Sequence, residues 1–402
     1  MPRAYTDSPR YIVQQLPSKL RGIEGRRWDL KVDPHVYDLS IDSSQDLVVF
    51  AARSPEGSSN IFQLRSLSTG DVHPFACSSG VIELGQLLPY KTSLDICGKH
   101  ILAVVRPIDA MFYVWNWRTG HVALSMIVPS DASRTESACF LDDRHIIVVA
   151  SDLPDEDAVR LLIQEVPKEG TNTSPSFSFA LPAFLRKSSL ASLRIRSSVT
   201  SRSPRGPCLF YADPDDRLLY VHAVMLVDSF YEEFMITIPS RTFTSYIVSH
   251  SPAQHPVDVG WEDWGPSGSR VSRIPPRAWL ARGFLVSGMR MVSSAPSLNA
   301  AGSRYVFAVY DYHPLRVARA ASLRGAAGGV VLGDEVPAQF TGAGYGAVTT
   351  TMPYLVNEIP LPAELSNLAL EVGELDVALC EDGILMFRYS RTRIQNVWSY
   401  TF

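Results

Sequence analysis

Short apolar runs separated by tight polar turns are the dominant pattern of this 402-residue chain. The runs are rich in Val and Ile and too short for helices, so they predict β-strands; examples are "LVVFAA", "ILAVV" and "HIIVVA". The turns "DSSQD", "CGKH" and "DDRH" carry the Asp, Ser and Gly that tight turns favour. No long amphipathic helix is predicted, and the predicted fold class is all-β.

The strands recur as a repeated unit. The segments "IFQLRSLSTG" and "MFYVWNWRTG" have the same alternation of large apolar residues, and both end in Thr-Gly, at Gly70 and Gly120. Similar strand-turn-strand segments lie upstream, at 37–54 and 94–107, and a third copy lies at 138–152. A period of about 45 to 55 residues with three or four short strands per unit is typical of β-propeller blades.

We therefore predict one WD-like β-propeller of six or seven blades over residues 27–402, preceded by an N-terminal extension, 1–26. "RWDLKV" (Arg27 to Val32) is predicted to complete the last blade and close the ring, because closure removes exposed sheet edges. The Ser- and Arg-rich segment at about 169–207 is predicted to be a loop insertion containing one or two strands.

Two tryptophans in "VWNWRTG" raise the question of a ligand site. By strand alternation Val114 and Asn116 share one face with Arg118, and Trp115 and Trp117 share the other. In a blade packed on both sides, a tryptophan pair on one face is predicted to fill the space between blades.

A series of segments resembles the C-terminal propeller of the F-box proteins that are greatly expanded in mushroom-forming fungi. The matching segments come in the family's order from Trp28 onward: "DLSIDSSQDLVVF", "LRSLSTG", "LDICGKHILAV", "VWNWRTG", "FLDDRHIIVVA", "WEDWGPSGSR", "YDYHP", "TTMPY" and "EDGILMF". The resemblance implies a ubiquitin-ligase adaptor that delivers a protein substrate. Only "LPSKLRGIEGRRW" (Leu16 to Trp28) precedes the predicted propeller, so a complete F-box is not expected, and contact with the cullin ligase adaptor would need an F-box upstream.

Composition excludes several classes of protein. Hydrophobic residues make up 46% of the chain, which is ample for a core, and the net charge of −4 argues against nucleic-acid binding. The five cysteines are scattered without a CxxC pair, which favours small buried residues in a reducing compartment over disulfides or zinc. Without an apolar leader or a run of about 18 apolar residues, we expect a cytoplasmic or nuclear monomer.

No catalytic, cofactor or metal motif is recognised. "GAGYGA" (Gly342 to Ala347) lacks the spacing of a phosphate-binding loop, and the acidic segment "DLPDEDAVR" lacks a calcium-loop spacing. His100 and His145 occupy corresponding places after blade turns, and a structural hydrogen-bond role is favoured over metal binding.

Two segments are candidates for partner binding. Trp261 and Trp264, beside a turn expected at Gly265-Pro266, could anchor an interface, although packing between blades is favoured. Arg194 and Arg196 belong to the basic segment, which could bind acidic or phosphorylated partners, although a solvated insertion is favoured.

The most favoured function is a non-catalytic protein-recognition module. Two alternatives stay open: a propeller hydrolase or lyase with acidic or histidine residues at the channel mouth, and a small-ligand or lectin-like binder that uses Trp and Tyr.

Overall fold

The computed structural model describes most of the chain. The described residues are 10–15, 17, 22–33, 35–57, 59–77, 79–84, 93–105, 110–128, 137–150, 158–167, 176–198, 216–250, 257–274, 285–299, 302–323, 329–337, 347–360, 375–380, 383–390 and 393–401. The acidic segment at 152–157 and nearly all of "GAGYGA" lie outside these ranges.

The chain divides into two compact units. Unit 1 comprises Met1–Asp152, Leu162–Ser176 and Thr200–Tyr211, and unit 2 comprises Leu153–Leu161, Phe177–Val199 and Ala212–Phe402.

Unit 1 is built from antiparallel strands joined in sequence order. Its strands are β1 (Arg10–Gln15), β2 (Arg26–Lys31), β3 (Val36–Asp42), β4 (Leu47–Arg53), β5 (Asn60–Ser66), β6 (Val81–Glu83), β7 (Ser93–Cys97), β8 (His100–Val105), β9 (Ala110–Asn116), β10 (Val122–Val128), β11 (Ala138–Phe140) and β12 (His145–Ala150). Strand β13 (Arg160–Glu165) has residues in both units. The strands β3 to β6 and β7 to β10 form two four-stranded sheets, as expected for the repeated unit.

The Thr-Gly segments have the same local geometry in both sheets. Gly70 and Gly120 have φ of 78° and 76°, in the left-handed region that glycine adopts without steric cost. The N–H of Gly70 donates to the Ser66 carbonyl and that of Gly120 to the Asn116 carbonyl, both at 2.8 Å. The equivalence of the two repeats predicted from sequence is therefore confirmed.

The tryptophans of β9 and the turn after it pack between the first two sheets of unit 1. Trp115 and Trp117 are 4% and 0% exposed and lie in one apolar cluster with residues of β4 and β5, among them Phe62. Val114 lies in a different cluster, with β11 and β12. The predicted alternation is confirmed, and the tryptophan pair is part of the core.

Hydrogen bonds join the turn of each repeat to the turn of the next. Gln45 Nε2 donates to the Gly98 carbonyl at 2.6 Å, and Trp117 Nε1 donates to the same oxygen at 3.0 Å. One repeat later, His100 Nδ1 lies 3.1 Å from the Asp143 carbonyl oxygen. Because a carbonyl oxygen can only accept a hydrogen bond, Nδ1 is the protonated nitrogen of this ring. Burial lowers the pKa of His100, and the structural role expected for this histidine is confirmed.

The N-terminal strands depart from the expectation. "RWDLKV" was predicted to complete the last blade, but β2 pairs with β1, from Arg10 opposite Lys31 to Gln15 opposite Arg26. The reason is hydrophobic: Leu30, with Trp28 beside it, packs against Phe50 of the first sheet. This predicted pairing is therefore wrong.

Unit 2 contains longer strands and the three helices. Its strands are β14 (Phe177–Ala180), β15 (Leu190–Ser197), β16 (Leu218–Val227), β17 (Phe230–Pro239), β18 (Val257–Val259), β19 (Arg270–Ile274), β20 (Leu285–Ser287), β21 (Arg290–Asn299), β22 (Gly302–Asp311), β23 (Gly329–Val331), β24 (Asp334–Val336), β25 (Val348–Thr350), β26 (Tyr354–Pro360), β27 (Leu375–Cys380), β28 (Gly383–Ser390) and β29 (Arg393–Thr401). The strand orders of its sheets are β15-β16-β17-β19, β20-β21-β22-β26-β23, β24-β25 and β27-β28-β29, and β14 pairs in parallel with β18.

The one or two strands expected in the segment 169–207 are present. Its described part, 176–198, contains β14 and β15, which belong to sheets. Phe177 and Phe179 are buried, and so are Leu193 and Ile195, whereas Arg194 and Arg196 are exposed. The alternation of apolar and polar residues builds sheet here despite the serine-rich composition.

In the described part of the chain, three short α-helices interrupt the strands, α1 (Ser240–Ser249), α2 (Trp261–Gly268) and α3 (Pro314–Ser322), and a 3-10 turn covers Lys187–Ser189. Helix α2 replaces the turn expected at Gly265-Pro266. Glu262 and Asp263 occupy its first turn, where the helix dipole favours negative charge. A Cβ at Gly265 would lie 2.2 Å from the Trp261 ring, so glycine permits this helix to pack its own tryptophan.

Replacing Trp117 by Ala should lower the free energy of unfolding by about 3–5 kcal/mol, because a fully buried indole and its hydrogen bond are lost. Urea denaturation followed by circular dichroism measures this loss. The matched control is Phe75→Ala, an aromatic residue of the same unit that is 61% exposed, which should change stability by about 0.5 kcal/mol or less. Equal losses in the two variants would contradict the assignment of Trp117 to the core.

Asp142 makes stability depend on pH. Burial alone would raise the pKa of its carboxyl group, but hydrogen bonds from the His145 side chain and from the N–H groups of Arg144 and His145 more than offset this, so the pKa is lowered. The stabilisation is therefore present above the unfolded pKa of about 3.9 and is lost as pH falls through the folded pKa.

Asp142→Asn should lower the free energy of unfolding by about 1–3 kcal/mol at pH 7, and the difference from wild type should shrink below pH ~4. Urea titrations between pH 7 and pH 2.5 measure it. The control Asp71→Asn removes an exposed carboxylate and should show no such difference. A deficit for Asp142→Asn that stays constant over this range would rule out the titration of Asp142 as its cause.

Candidate recognition site

Three of the sequence landmarks meet in unit 2. "WEDWGPSGSR" forms α2 and the start of β19, and "TTMPY" connects β25 to β26. The N–H of Thr351 donates to the Pro266 carbonyl at 2.7 Å, and the N–H of Val271 donates to Thr350 Oγ1 at 3.3 Å. The two landmarks therefore hold one another in place.

Arg270 lies at the centre of this arrangement. Its side chain is fully buried, its Nη1 donates to the Met352 carbonyl at 3.0 Å, and its guanidinium carbon lies 4.5 Å from the centre of the Tyr354 ring. A planar cation on an aromatic face is attractive, and more so away from water.

The third landmark, "YDYHP", places two more tyrosines beside Tyr354. Tyr310 and Tyr312 both lie with ring centres 5.5 Å from that of Tyr354. Burial raises the pKa of the Tyr312 hydroxyl, and a hydrogen bond with Thr237 opposes the rise only in part. We call Arg270, Tyr310, Tyr312 and Tyr354 the arginine–tyrosine cluster; its burial indicates a structural role.

The two candidate tryptophans also belong to the core of unit 2. Trp264 is 2% exposed, and its Nε1 donates to the Ala180 carbonyl at 2.9 Å. Its ring contacts Phe179 and Phe243, and Trp261 lies edge-on against it at 5.1 Å. Trp264 is therefore part of the packed core, as the favoured expectation stated. It is too deeply buried to anchor a partner in this conformation.

Trp261 retains a small exposed edge, 8%, in the wall of a cleft of about 450 Å³. Phe184 and Pro266 lie beside the tryptophan in this wall, and Glu262 is the one charged residue among those that line it.

Among the residues of unit 2 whose burial is described, the most exposed aromatic ones lie at a hairpin tip. Strands β16 and β17 pair over ten residues each, and the turn between them places Asp228 and Ser229 at φ of 48° and 70°. Positive φ at both central residues is the geometry of a tight two-residue hairpin turn. Phe230 is 72% exposed and Tyr231 is 69% exposed, so a rigid hairpin presents two aromatic side chains to solvent.

Strand register places the two candidate arginines on the same sheet face as Tyr231. Arg194 pairs with His222 and Arg196 pairs with Tyr220, while Leu226 pairs with Tyr231. Directly paired residues point to the same side of a sheet, and so do alternate residues of one strand. We call the exposed or half-buried residues of this side the hairpin face: Arg194, Arg196, His222, Val224, Leu226, Tyr231 and Glu233.

The charges of the hairpin face are unevenly distributed. His222 Nε2 lies 3.0 Å from Glu233 Oε2, so Glu233 already has a partner. Arg194 and Arg196 are exposed and form no ion pair with any residue in the described part of the chain. The face therefore has two free cations at one end and Leu226 and Tyr231 at the other.

The hairpin tip was not predicted as a site. The apolar runs on either side of the turn fit strands, but alternation alone does not show that Leu226 and Tyr231 are exposed. Asp-Ser followed by two aromatic residues was the available signal, since a tight turn leaves its neighbours exposed.

Two general findings limit the chemistry. Among the described residues, no three His, Cys, Asp or Glu side chains lie close enough together to hold a metal ion. Within the same ranges, no helix is long and apolar enough to cross a membrane.

Comparisons with known proteins give structural neighbours alone. No protein-family model matches the chain, and no curated protein matches it in sequence. Among solved structures, it is similar to hydrazine synthase of Kuenenia stuttgartiensis, with TM-score 0.40, 10% identity and coverage of 91% of this chain and 96% of that one. It is also similar to the β-propeller domain of the Trilobed protease from Pyrococcus furiosus, with TM-score 0.34, 10% identity and coverage of 91% and 92%.

Replacing Arg270 by Met should lower the free energy of unfolding by about 2–4 kcal/mol, because the Met352 carbonyl loses its donor inside the core. Arg270→Lys keeps the charge but loses the planar contact with Tyr354, so a smaller loss is expected. Urea denaturation measures both, and Arg196→Met, at an exposed position of the same sheet, is the control. If Arg270→Met were as stable as the control, the arginine–tyrosine cluster would not be a stabilising element.

Proposed function

We propose that this chain is a non-catalytic protein-recognition module whose repeated sheets form a single β-propeller of six or seven blades in a closed ring. The proposal is supported by the two four-stranded sheets β3 to β6 and β7 to β10, with their matching turns. It does not include closure through β2, which pairs with β1.

The hairpin face is the proposed recognition surface. One observation carries this choice: Tyr231 and Leu226, 69% and 48% exposed, share a sheet face with two arginines that lack ion-pair partners among the described residues. Tyrosine and arginine are enriched among residues that dominate binding energy at protein interfaces. A rigid hairpin also holds the tyrosine in place before binding, which lowers the entropic cost of association.

The partner of this face should be an acidic protein segment with an apolar or aromatic side chain. Arg194 and Arg196 lie two residues apart and can each pair bidentately with a carboxylate. Glu233 accepts a hydrogen bond from His222 and forms an ion pair with neither arginine in the described part of the chain. Leu226 and Tyr231 then offer the apolar contact at the other end of the face.

We further propose that the recognised protein is a substrate for ubiquitination, and that the chain acts as an F-box-type adaptor. Support for this step comes from the sequence resemblance alone. Under this proposal the arginine–tyrosine cluster and the Trp264 core maintain the fold, and the exposed residues of the hairpin face select the substrate.

A small-ligand binder is the second candidate, because the 450 Å³ cleft exposes one edge of Trp261 beside Phe184 and Pro266. Its volume suits a small molecule. The exposed edge of Trp261 is narrow, however, so the hairpin face offers more contact surface than the cleft does.

The test of the proposed function is a quantitative comparison of the proteins that co-purify with wild-type chain and with Tyr231→Ser/Arg194→Glu, each expressed in the source cells from the full-length gene. At least one co-purifying protein should fall by about tenfold or more in the variant, since two interface anchors are lost. The cullin-ligase adaptor should be retained equally by both.

The matched control is Phe230→Ser, which removes an equally exposed aromatic residue from the opposite side of the same hairpin. It should leave the co-purifying proteins unchanged. If the double variant also left them unchanged, the hairpin face would not be the recognition surface. Absence of the cullin-ligase adaptor from the wild-type sample would rule out the ligase role.

A further inference from the structure

Strand β10 forms an outer edge of the sheet β7 to β10. It pairs with β9 on one side, and no strand among the described residues pairs with its other side. Its seven residues, "VALSMIV", include no charged side chain. An edge strand exposes a row of unpaired N–H and C=O groups to which another strand can add.

The other edge strands have features that discourage pairing. Several are only three residues long, for example β6, β11 and β23. The longer ones contain charges, such as Arg270 and Arg273 in β19 and Arg393 in β29. Among the described edge strands of more than three residues, β10 alone has no charged side chain.

The register identifies the groups that β10 directs outward. The N–H of Trp117 donates to the Lys99 carbonyl, so this antiparallel pair of residues is hydrogen-bonded across β8 and β9. Hydrogen-bonded pairs alternate along the ladder, so Phe112 and Val114 direct their backbone groups toward β10, where they pair with Met126 and Leu124. Ser125 and Ile127 must then direct their own N–H and C=O groups away from the sheet.

The side chains of β10 are suited to a further strand. Ile127 is 58% exposed and Val122 is 45% exposed, whereas Leu124 is buried against the cluster shared with β11 and β12. An added strand would cover Ile127 on one face of the sheet and extend the apolar cluster on the other.

We propose that β10 binds an extended, uncharged segment of a partner protein, which adds to the sheet as a fifth strand. The lack of charge in β10 favours an apolar, β-branched segment, because a charged side chain opposite Leu124 or Ile127 would lose solvation without gaining a partner. Stable protein interfaces bury roughly 1,200 Å² or more, and the surface of a seven-residue strand edge is much smaller than this. The edge therefore favours a flexible segment over a second folded copy of the chain.

Strand β10 would be a second binding surface of the proposed recognition module. The inference rests on the proposed function only because it assumes that the partner is a protein. Its test uses the purified full chain and a synthetic peptide. A failure here would leave the hairpin face untested, and a failure of the hairpin face would leave β10 untested.

The probe is the nonapeptide Lys-Val-Thr-Val-Thr-Val-Thr-Val-Lys, whose lysines keep it monomeric and whose centre alternates β-formers. Hydrogen exchange of the backbone amides is measured with and without it. The amides of Ser125 and Ile127 should exchange at least about tenfold more slowly at saturating peptide, because both gain hydrogen bonds. Those of Leu124 and Met126, already bonded to β9, should change little.

Two variants separate strand addition from nonspecific adsorption. Ser125→Pro removes an outward donor and should weaken peptide binding by about three- to tenfold, the value of one hydrogen bond. Ile127→Lys places a charge at the edge, the device that natural edge strands use against pairing, and should abolish binding. The control Val248→Lys changes a residue that is 86% exposed on α1 and should bind the peptide as wild type does.

Three results would overturn the inference. The first is unchanged exchange at Ser125 and Ile127 with saturating peptide. The second is equal peptide binding by Ile127→Lys and Val248→Lys. The third is protection of both amides before peptide is added, together with a dimer mass by sedimentation, since a second copy of the chain would then occupy the edge.

Discussion

Burial of both faces of the inner strands of unit 1 is the constraint on which the rest of the structure depends. All six residues of β12 are buried, and so are the first six of β4, so these strands have apolar side chains on each side of their sheets. A single sheet of six- or seven-residue strands leaves at least one such face in water. The sheets of unit 1 must therefore pack against one another, with Trp115 and Trp117 filling one gap and Phe112 and Phe140 filling the next. The same requirement explains why the hairpin of β1 and β2 lies against Phe50 of the first sheet.

Apolar packing alone does not set how two such sheets are aligned, because it has little directional preference. Polar links between turns provide that direction. Gln45 and Trp117 both donate to one carbonyl, that of Gly98, and His100 repeats the link one sheet later at Asp143. The desolvation that lowers the pKa of His100 keeps its ring neutral at physiological pH, so its Nδ1–H can donate without a buried charge. In unit 2, where turns are less regular, the buried guanidinium of Arg270 has the corresponding role for β19 and β26.

Sequence patterns predicted the features that neighbouring residues determine. They failed where contacts between residues far apart in the sequence determine the structure. The strands, the equivalence of the Thr-Gly turns and the two faces of β9 follow from alternation and from the freedom of glycine at Gly70 and Gly120. The partner of β2 could not be predicted, because its alternation fits any sheet edge; in the structure β2 pairs with β1, and Leu30 packs with Phe50 of the first sheet. Helix α2 was missed since Gly-Pro is typical of turns, and the Trp261 ring, which makes glycine necessary at 265, is not visible in a linear pattern.

The candidate site shows the same difference between residues whose role the sequence predicts and residues whose role depends on the fold. The most distinctive residues of the sequence, Trp264 and Arg270 among them, are buried and hydrogen-bonded to backbone carbonyls, so their distinctiveness reflects packing. Recognition needs side chains that are exposed and free of internal partners, and the sequence signal of such residues is weak: at the hairpin tip it is no more than Asp-Ser followed by two aromatic residues. Arg194 could be named as a candidate from composition, but only the register with His222 joins it to Leu226 and Tyr231 on one face. The fold therefore accounts for the conspicuous residues, and function is to be sought among inconspicuous ones: the aromatic tip of one hairpin and the uncharged edge of β10.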